Sequence, residues 1–345
     1  MHEGDVLNER ESRVLEAVVR LYVETAEPAG SNAVARRSGL GVSPASIRST
    51  MSDLEARGYL YHAHTSGGRI PTDRAYRLYV NRLMRVRPVA AHHLEQIENE
   101  IIPAGTAIEQ VLRRAAQVLG VLTQELGVAL APTLDGLVLE RVELVRPSSD
   151  RLVVVLTLQS GLVRTIFVEV PTSVAPEAVE QVSRILNERL AGLTLREIRA
   201  SMPERLRDAD QSQEGKELLN VFVAQGEDLF DLSAGDAAVL LGSAQPLVGQ
   251  PEFASNDRMR GLLSLTERRD LLRRAFEEHH RRGITITIGS ENDDPRLAEF
   301  TLVTSPYRSG QLSGVVGVLG PTRMPYDKII GLVEQTSRMV EGLMS

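Results

Sequence analysis

The sequence predicts an α+β protein of several domains that opens with a winged helix-turn-helix. Three features predict it. Helical segments fill the start of the chain and lead into a glycine-tipped hairpin. Short strands recur over 137–170 and again over 284–319. Mostly helical sequence separates those two groups. With 345 residues the chain has room for two or three domains, taking roughly 100–200 residues for each.

The first helix starts at Asn8, with Glu11 three residues on, a pair able to satisfy orphan N–H groups reciprocally. Val14, Leu15, Val18 and Tyr22 then form one apolar stripe. Pro28, Gly30 and Ser31 break the chain, and Ser31 is expected to cap a short helix ending near Gly39. The third helix is the best marked. Ser43 suits the N-cap, Pro44 the first helical position, and Gly58 the left-handed C-terminal cap. Its Ile47, Met51 and Leu54 share one face, while Ala45, Arg48, Ser49 and Ser52 share the opposite one.

A strand over Tyr59–Ala63 and a return through Ile70 flank the turn His64-Thr65-Ser66-Gly67-Gly68-Arg69. Its two glycines permit positive φ and close backbone approach. Pro71-Thr72-Asp73 opens another helix, with Tyr76 and Tyr79 as core or domain-contact residues. A linker is expected at 86–92.

Residues 93–126 read as helical, interrupted at Pro103-Ala104-Gly105. Strands follow at Leu137–Val145, Leu152–Leu158 and Leu162–Val170, then a helix at 175–190. The last strands fall at Ile284–Ile288, Leu302–Ser305 and Gly314–Leu319, before a closing helix from Asp327. One sheet split by an insertion accounts for this order. The expected domains are 1–88, then 93–194 and 281–345 as halves of one domain, with 195–280 inserted.

Composition narrows the function. There is no cysteine, which removes disulfides, thiolate catalysis and Cys-type zinc sites. No run approaches the roughly 18 apolar residues of a membrane span, so a cytoplasmic protein without membrane contact is expected. Residues 1–88 carry 13 Arg against 10 Asp and Glu, a net +3; the remainder carries 39 − 13 = 26 basic and 46 − 10 = 36 acidic residues, a net −10. A basic module on an acidic body suits one end that meets a polyanion.

The chemistry of the first module fits DNA. A helix with short outer side chains lets its backbone approach base edges in the major groove. Arg48 can offer two donors to a guanine edge. Ser43, Ser46, Ser49 and Ser52 can reach phosphate or bases, and Ala45 keeps the face slim. The turn His64 to Arg69 would lie on the neighbouring backbone, with Arg69 and the N–H groups of Gly67 and Gly68 on phosphate. A helical adaptor that binds protein through the same surface is the competing reading.

These residues also carry a resemblance. Glu24 to Ser31, Val42 to Arg48, Met51 to Tyr59, His64 to Asp73 and Tyr76 to Val80 resemble the N-terminal module of the heat-inducible transcription repressor family, HrcA. Ile288-Gly289-Ser290-Glu291-Asn292 and Gly320 to Tyr326 match at the far end, so the resemblance covers essentially the whole chain. Ala29 and Asn32 depart from the family's usual valine and lysine, and Ser46-Ile47-Arg48 replaces its Thr-Ile-Arg. The missing lysine puts one phosphate contact in doubt. The resemblance implies a homodimer built from a winged helix, a GAF-like domain and a dimerising domain inserted into it. It also implies repression of chaperone operons at an inverted-repeat operator, with the chaperonin modulating activity.

Other chemistries are weaker. His92-His93 and His279-His280 are adjacent pairs, pointing about 100° apart instead of chelating from one face, and read as surface histidines. Gly314, Gly317 and Gly320 sit in an apolar strand with the wrong spacing for a dinucleotide loop, and read as close-packed strand glycines. No metal, cofactor or catalytic residue is expected. A regulator that answers to a small molecule through its central domain remains the alternative.

Overall fold

The computed structural model describes residues 7–39, 41–62, 67–104, 108–132, 136–148, 150–159, 163–170, 174–207, 212–230, 239–279, 283–309 and 312–343. Helices and strands mix throughout, as an α+β chain requires.

The first elements follow from their caps. Helix α1 (Glu9–Thr25) begins at the reciprocal Asn8–Glu11 pair, with Glu11 N–H to Asn8 Oδ1 at 2.9 Å and Asn8 N–H to Glu11 Oε2 at 2.8 Å. Helix α2 (Ser31–Ser38) is capped at Gly30 and lacks a side-chain cap; Ser31 lies inside it and is buried. Helix α3 (Pro44–Ala56) starts at Ser43 and ends where the expected glycine stands. There Gly58, at φ +74°, donates to Glu55 O, and Tyr59 N–H reaches Leu54 O, both at 2.9 Å. Those two bonds satisfy carbonyls that the helix end leaves open.

Strands β1 (Leu60–His62) and β2 (Arg69–Pro71) pair antiparallel, and helix α4 (Asp73–Leu78) follows. Helices α5 (Ala91–Ile101) and α6 (Ile108–Thr123) lead to strand β3 (Leu126–Leu130), which is buried along its whole length.

Strands β4 (Leu139–Ser148), β5 (Arg151–Leu158) and β6 (Val163–Glu169) form an antiparallel meander of their own. Helices α7 (Pro176–Leu190), α8 (Leu195–Leu206) and α9 (Gln213–Phe230) come next. Then follow β7 (Val239–Leu241), α10 (Gln245–Val248), α11 (Asn256–Glu267) and α12 (Arg269–Glu277). The chain closes with β8 (Thr285–Ile288), β9 (Phe300–Ser309), β10 (Leu312–Pro321) and α13 (Tyr326–Leu343).

Two sheets form where one split sheet was expected. The order β7-β3-β10-β9-β8 makes a five-stranded sheet, and β4-β5-β6 stands apart from it. Correspondingly, one compact unit comprises Met1–Leu130, Val239–Tyr307 and Val315–Met344, and the second is mainly Ala131–Ala238. The interruption therefore begins near residue 131 and not at 195, and it ends near 238 and not at 280. Periodicity locates strands but does not name their partners. The strand that joins the C-terminal sheet from upstream is β3, a short apolar run that starts where the helical reading of 93–126 ends and that the sequence reading assigned to no element.

In the first unit, Leu126, Val128 and Leu130 of β3 pack with Leu262, Leu272, Phe276 and Leu302 in one apolar core. Glycines of β10 and β3 allow the tight layers: a Cβ on Gly317 would lie 2.3 Å from Val303 O, and one on Gly127 would lie 1.9 Å from Ala116 O. The second unit buries Leu152, Val154, Leu156 and Leu158 on one sheet face. Its edge strand β4 is shielded by Asn187, whose amide accepts from Val142 N at 2.9 Å and donates to Val142 O at 2.7 Å. The opposite face leaves Val145, Val163 and Phe167 exposed.

Candidate nucleic-acid interface

Helix α3 presents the face that the sequence predicts. Ile47, Thr50, Met51 and Leu54 are buried, while Ser43, Ala45, Arg48, Ser49 and Ser52 are exposed. Ser46 is half-buried, and the Ser43 hydroxyl donates to its oxygen at 3.1 Å. Ser52 Oγ returns a hydrogen bond to Arg48 O at 3.1 Å, which holds its side chain against the helix. The Arg48 guanidinium makes no hydrogen bond or ion pair with a described residue. It is an available charge on a slim helical face.

The hairpin differs from expectation in two places. Arg69, expected on phosphate, lies against α3: its Nε donates to Glu55 Oε2 at 2.7 Å, and its side chain is only 14% exposed. Its backbone exchanges bonds with Ala29 at 2.8 and 3.0 Å. Gly68 is buried, because a Cβ there would stand 2.5 Å from Pro28 O. Its close approach is therefore to the protein's own backbone. Gly67 is exposed with open space around it. Neither glycine has positive φ. His64, Thr65 and Ser66 lie outside the described residues.

Several arginines of the module serve its internal structure. Arg57 pairs with Glu11 at 3.0 Å, and Arg74 sits 4.6 Å from the centre of the Tyr59 ring and donates to Arg57 O. Others face outward and escaped the sequence reading. Arg36 and Arg37 are exposed in the last turn of α2, and Arg10 and Arg13 along α1. Arg37 meets Glu24 at 3.7 Å with both side chains exposed, a pair of small energetic weight. The sequence signal for the α2 pair was its place at a helix C-terminus, where basic residues gather for dipole reasons alone. Tyr61 on β1 is 48% exposed and was also missed.

Tyr76 and Tyr79 are buried, as expected of core residues. His279 corrects a surface assignment. It is 6% exposed, with Nδ1 2.9 Å from Thr304 Oγ1. His280 lies outside the described residues. A buried carboxyl, Glu125, lies at the turn between α6 and β3. Burial raises it well above the usual carboxylate range, while a hydrogen bond from Gln250 at 3.2 Å offsets part of the rise. Among the described residues no group of acidic and histidine side chains could hold a metal, and no helix is long and apolar enough to cross a membrane.

An exposed helix face with short polar side chains, an unengaged arginine and flanking outward arginines is a candidate surface for a polyanion, of the kind that a transcription regulator requires. Comparison with known proteins narrows this. Residues 109–330 match the family described as the HrcA protein C-terminal domain. The chain is 39% identical over 340 residues to the heat-inducible transcription repressor HrcA of Chlorobium phaeobacteroides (strain BS1), covering 95% of each. It is 34% identical over 342 residues to that of Geobacter sulfurreducens, covering 98% of each. It also resembles a crystal structure of a hypothetical protein at TM-score 0.61 and 26% identity, covering 98% of this chain and 99% of that one. The chain belongs to the HrcA family of heat-inducible transcription repressors.

Proposed function

We propose that this chain represses heat-shock chaperone operons by binding an inverted-repeat operator as a homodimer, with residues 7–88 acting as a winged helix-turn-helix. The observation that carries the reading is the outer face of α3, where Arg48 is exposed among Ala45, Ser49 and Ser52. Such a face fits the major groove closely enough for backbone and hydroxyls to reach base edges. One recognition helix reads only a few base pairs, so a two-fold operator asks for a two-fold protein. The five-stranded sheet with its helices is assigned as the GAF-like domain, and residues 131–238 as the inserted dimerising domain. Exposed Val145, Val163 and Phe167 on one face of the β4-β5-β6 sheet support that last assignment.

The deciding experiment is a gel-shift titration of the purified chain on its own chaperonin promoter, with and without chaperonin. A preference for a palindromic site over random duplex, strengthened by chaperonin, is expected. Equal affinity for both duplexes overturns the repressor reading, and no effect of chaperonin removes that partner.

A cleft of 250 Å³ beside α12, lined by Glu278, His279, Thr287 and Asn292, supports a second reading in which a small molecule tunes the repressor. Thermal melting with added metabolites tests it, since a ligand bound to the folded state raises Tm by mass action.

A further inference from the structure

A short turn after β8 grips the start of α4. Gly289 adopts φ +54°, and a Cβ on it would lie 2.2 Å from Asp73 Oδ2. Into that space Asp73 extends its carboxylate, which accepts from Ser290 N and from Ser290 Oγ, each at 2.9 Å. One helical turn on, Arg77 Nε donates to Glu291 Oε1 at 2.7 Å, its second arm also meets Glu291, and Nη2 donates to Ile286 O at 2.6 Å. Glu291 Oε2 in turn accepts from Ile288 N at 2.8 Å, closing the turn on itself.

This turn is itself held firmly. The Asn292 amide donates to Gly289 O, Leu297 O and Phe300 O at 2.9, 3.1 and 2.9 Å, and its oxygen accepts from the Thr287 hydroxyl at 2.9 Å. A second grip acts on α1. Arg323 donates to Val23 O at 2.8 Å while its guanidinium is paired with both oxygens of Glu252. The connection after the module is not a free tether either, since Arg87 N–H donates to Asp327 O at 2.9 Å. All these residues belong to one compact unit.

We propose that the Ile288–Glu291 turn is a positioning device for DNA recognition: by holding Asp73 and Arg77 it fixes each α3 on the body of its protomer, and so selects the separation of half-sites that a dimer can bridge. The inference rests on the homodimer and inverted-repeat reading above. Its physics is that of effective concentration. Once one half-site is bound, the second binds as an intramolecular event. A rigidly held helix concentrates that event at one spacing, and a loosened one spreads it over many. Duplex DNA sharpens the selection, because about 5 added base pairs turn the second half-site to the opposite face of the helix. Asp73, Arg77 and Glu291 are positioning residues, since none of them lies on the outer face of α3.

The test uses the full chain and the palindrome that it protects in its chaperonin promoter, lengthened at its centre by about 2, 5 or 10 base pairs, beside a duplex with a single half-site. The wild-type chain should lose at least about tenfold in affinity at the half-turn insertion. Arg77→Ala and Glu291→Ala should bind the single half-site within about twofold of wild type, yet vary less than about threefold across the spacings. Variants that keep the wild-type spacing profile overturn the proposal, as does a wild-type chain indifferent to spacing. Should an alanine variant lose single-half-site binding, Glu291→Gln decides, because it keeps the shape of the side chain and removes the charge: a broadened profile supports the device and an unchanged one rejects it. Failure of the wild-type chain on every palindrome would instead tell against the repressor reading.

Discussion

Arg69 and Glu55 join the hairpin to α3, with the Arg69 Nε 2.7 Å from Glu55 Oε2 and the arginine side chain largely buried. Removing one partner strands a half-buried charge. Arg69→Ala should therefore destabilise the chain by about 1–3 kcal/mol, read as a lower denaturation midpoint. The salt dependence of DNA affinity should stay at its wild-type slope. A slope reduced by about one phosphate unit would return Arg69 to the DNA surface.

Arg48 is the contrasting case, because it is exposed and engages nothing in the protein. Arg48→Ala should leave Tm unchanged and cost about 1–3 kcal/mol on operator DNA, with little loss on random duplex. Equal losses on both duplexes would make it a phosphate contact.

The two hairpin glycines should separate cleanly. Gly68→Ala forces a methyl to within 2.5 Å of Pro28 O and should cost about 1–3 kcal/mol. Gly67→Ala meets nothing within 4 Å and should be close to neutral. Chemical denaturation of both variants checks this, and equal costs would contradict the close approach.

Glu125 predicts a pH dependence. Burial raises its carboxyl, so the folded chain keeps a proton that the unfolded chain releases. The stability tied to this group is complete below the unfolded value of about 4.3. It declines as pH rises toward the elevated folded value. Glu125→Gln imitates the protonated side chain and should remove that decline. The variant should melt near wild type at about pH 4 and above it at about pH 8. A Tm difference that does not grow with pH would show that the carboxyl ionises freely in the fold.

Local signals carried much of the architecture. The Asn8–Glu11 and Ser43–Pro44 starts and the Gly58 stop follow from the unmet N–H and carbonyl groups of any helix end, so they can be read without the fold. The slim face of α3 was readable for the same kind of reason, from spacing alone. Partners across the chain were not. Arg69 looked like a DNA ligand because Glu55, fourteen residues away, gives no periodic sign of facing it. Asp73 and Ser290 are 217 residues apart, and their meeting is invisible to any window of sequence. Strand β3 was not found because a five-residue apolar run that contains Gly127 and directly follows a helical stretch is too short for periodicity to name.

The pairing of β3 with β10 carries a consequence for biosynthesis. Leu130 lies opposite Val239 on one edge and Val315 on the other, so β7 can cover one edge of β3 first, and 315 − 130 = 185 residues must leave the ribosome before β10 covers the second. At roughly 5–20 residues per second that is a delay of about 10–40 s. During it a wholly apolar strand waits with at least one edge uncovered, and Arg323, which anchors α1, has yet to be made. The newborn polypeptide thus depends on protection from aggregation for longer than its small opening module would suggest.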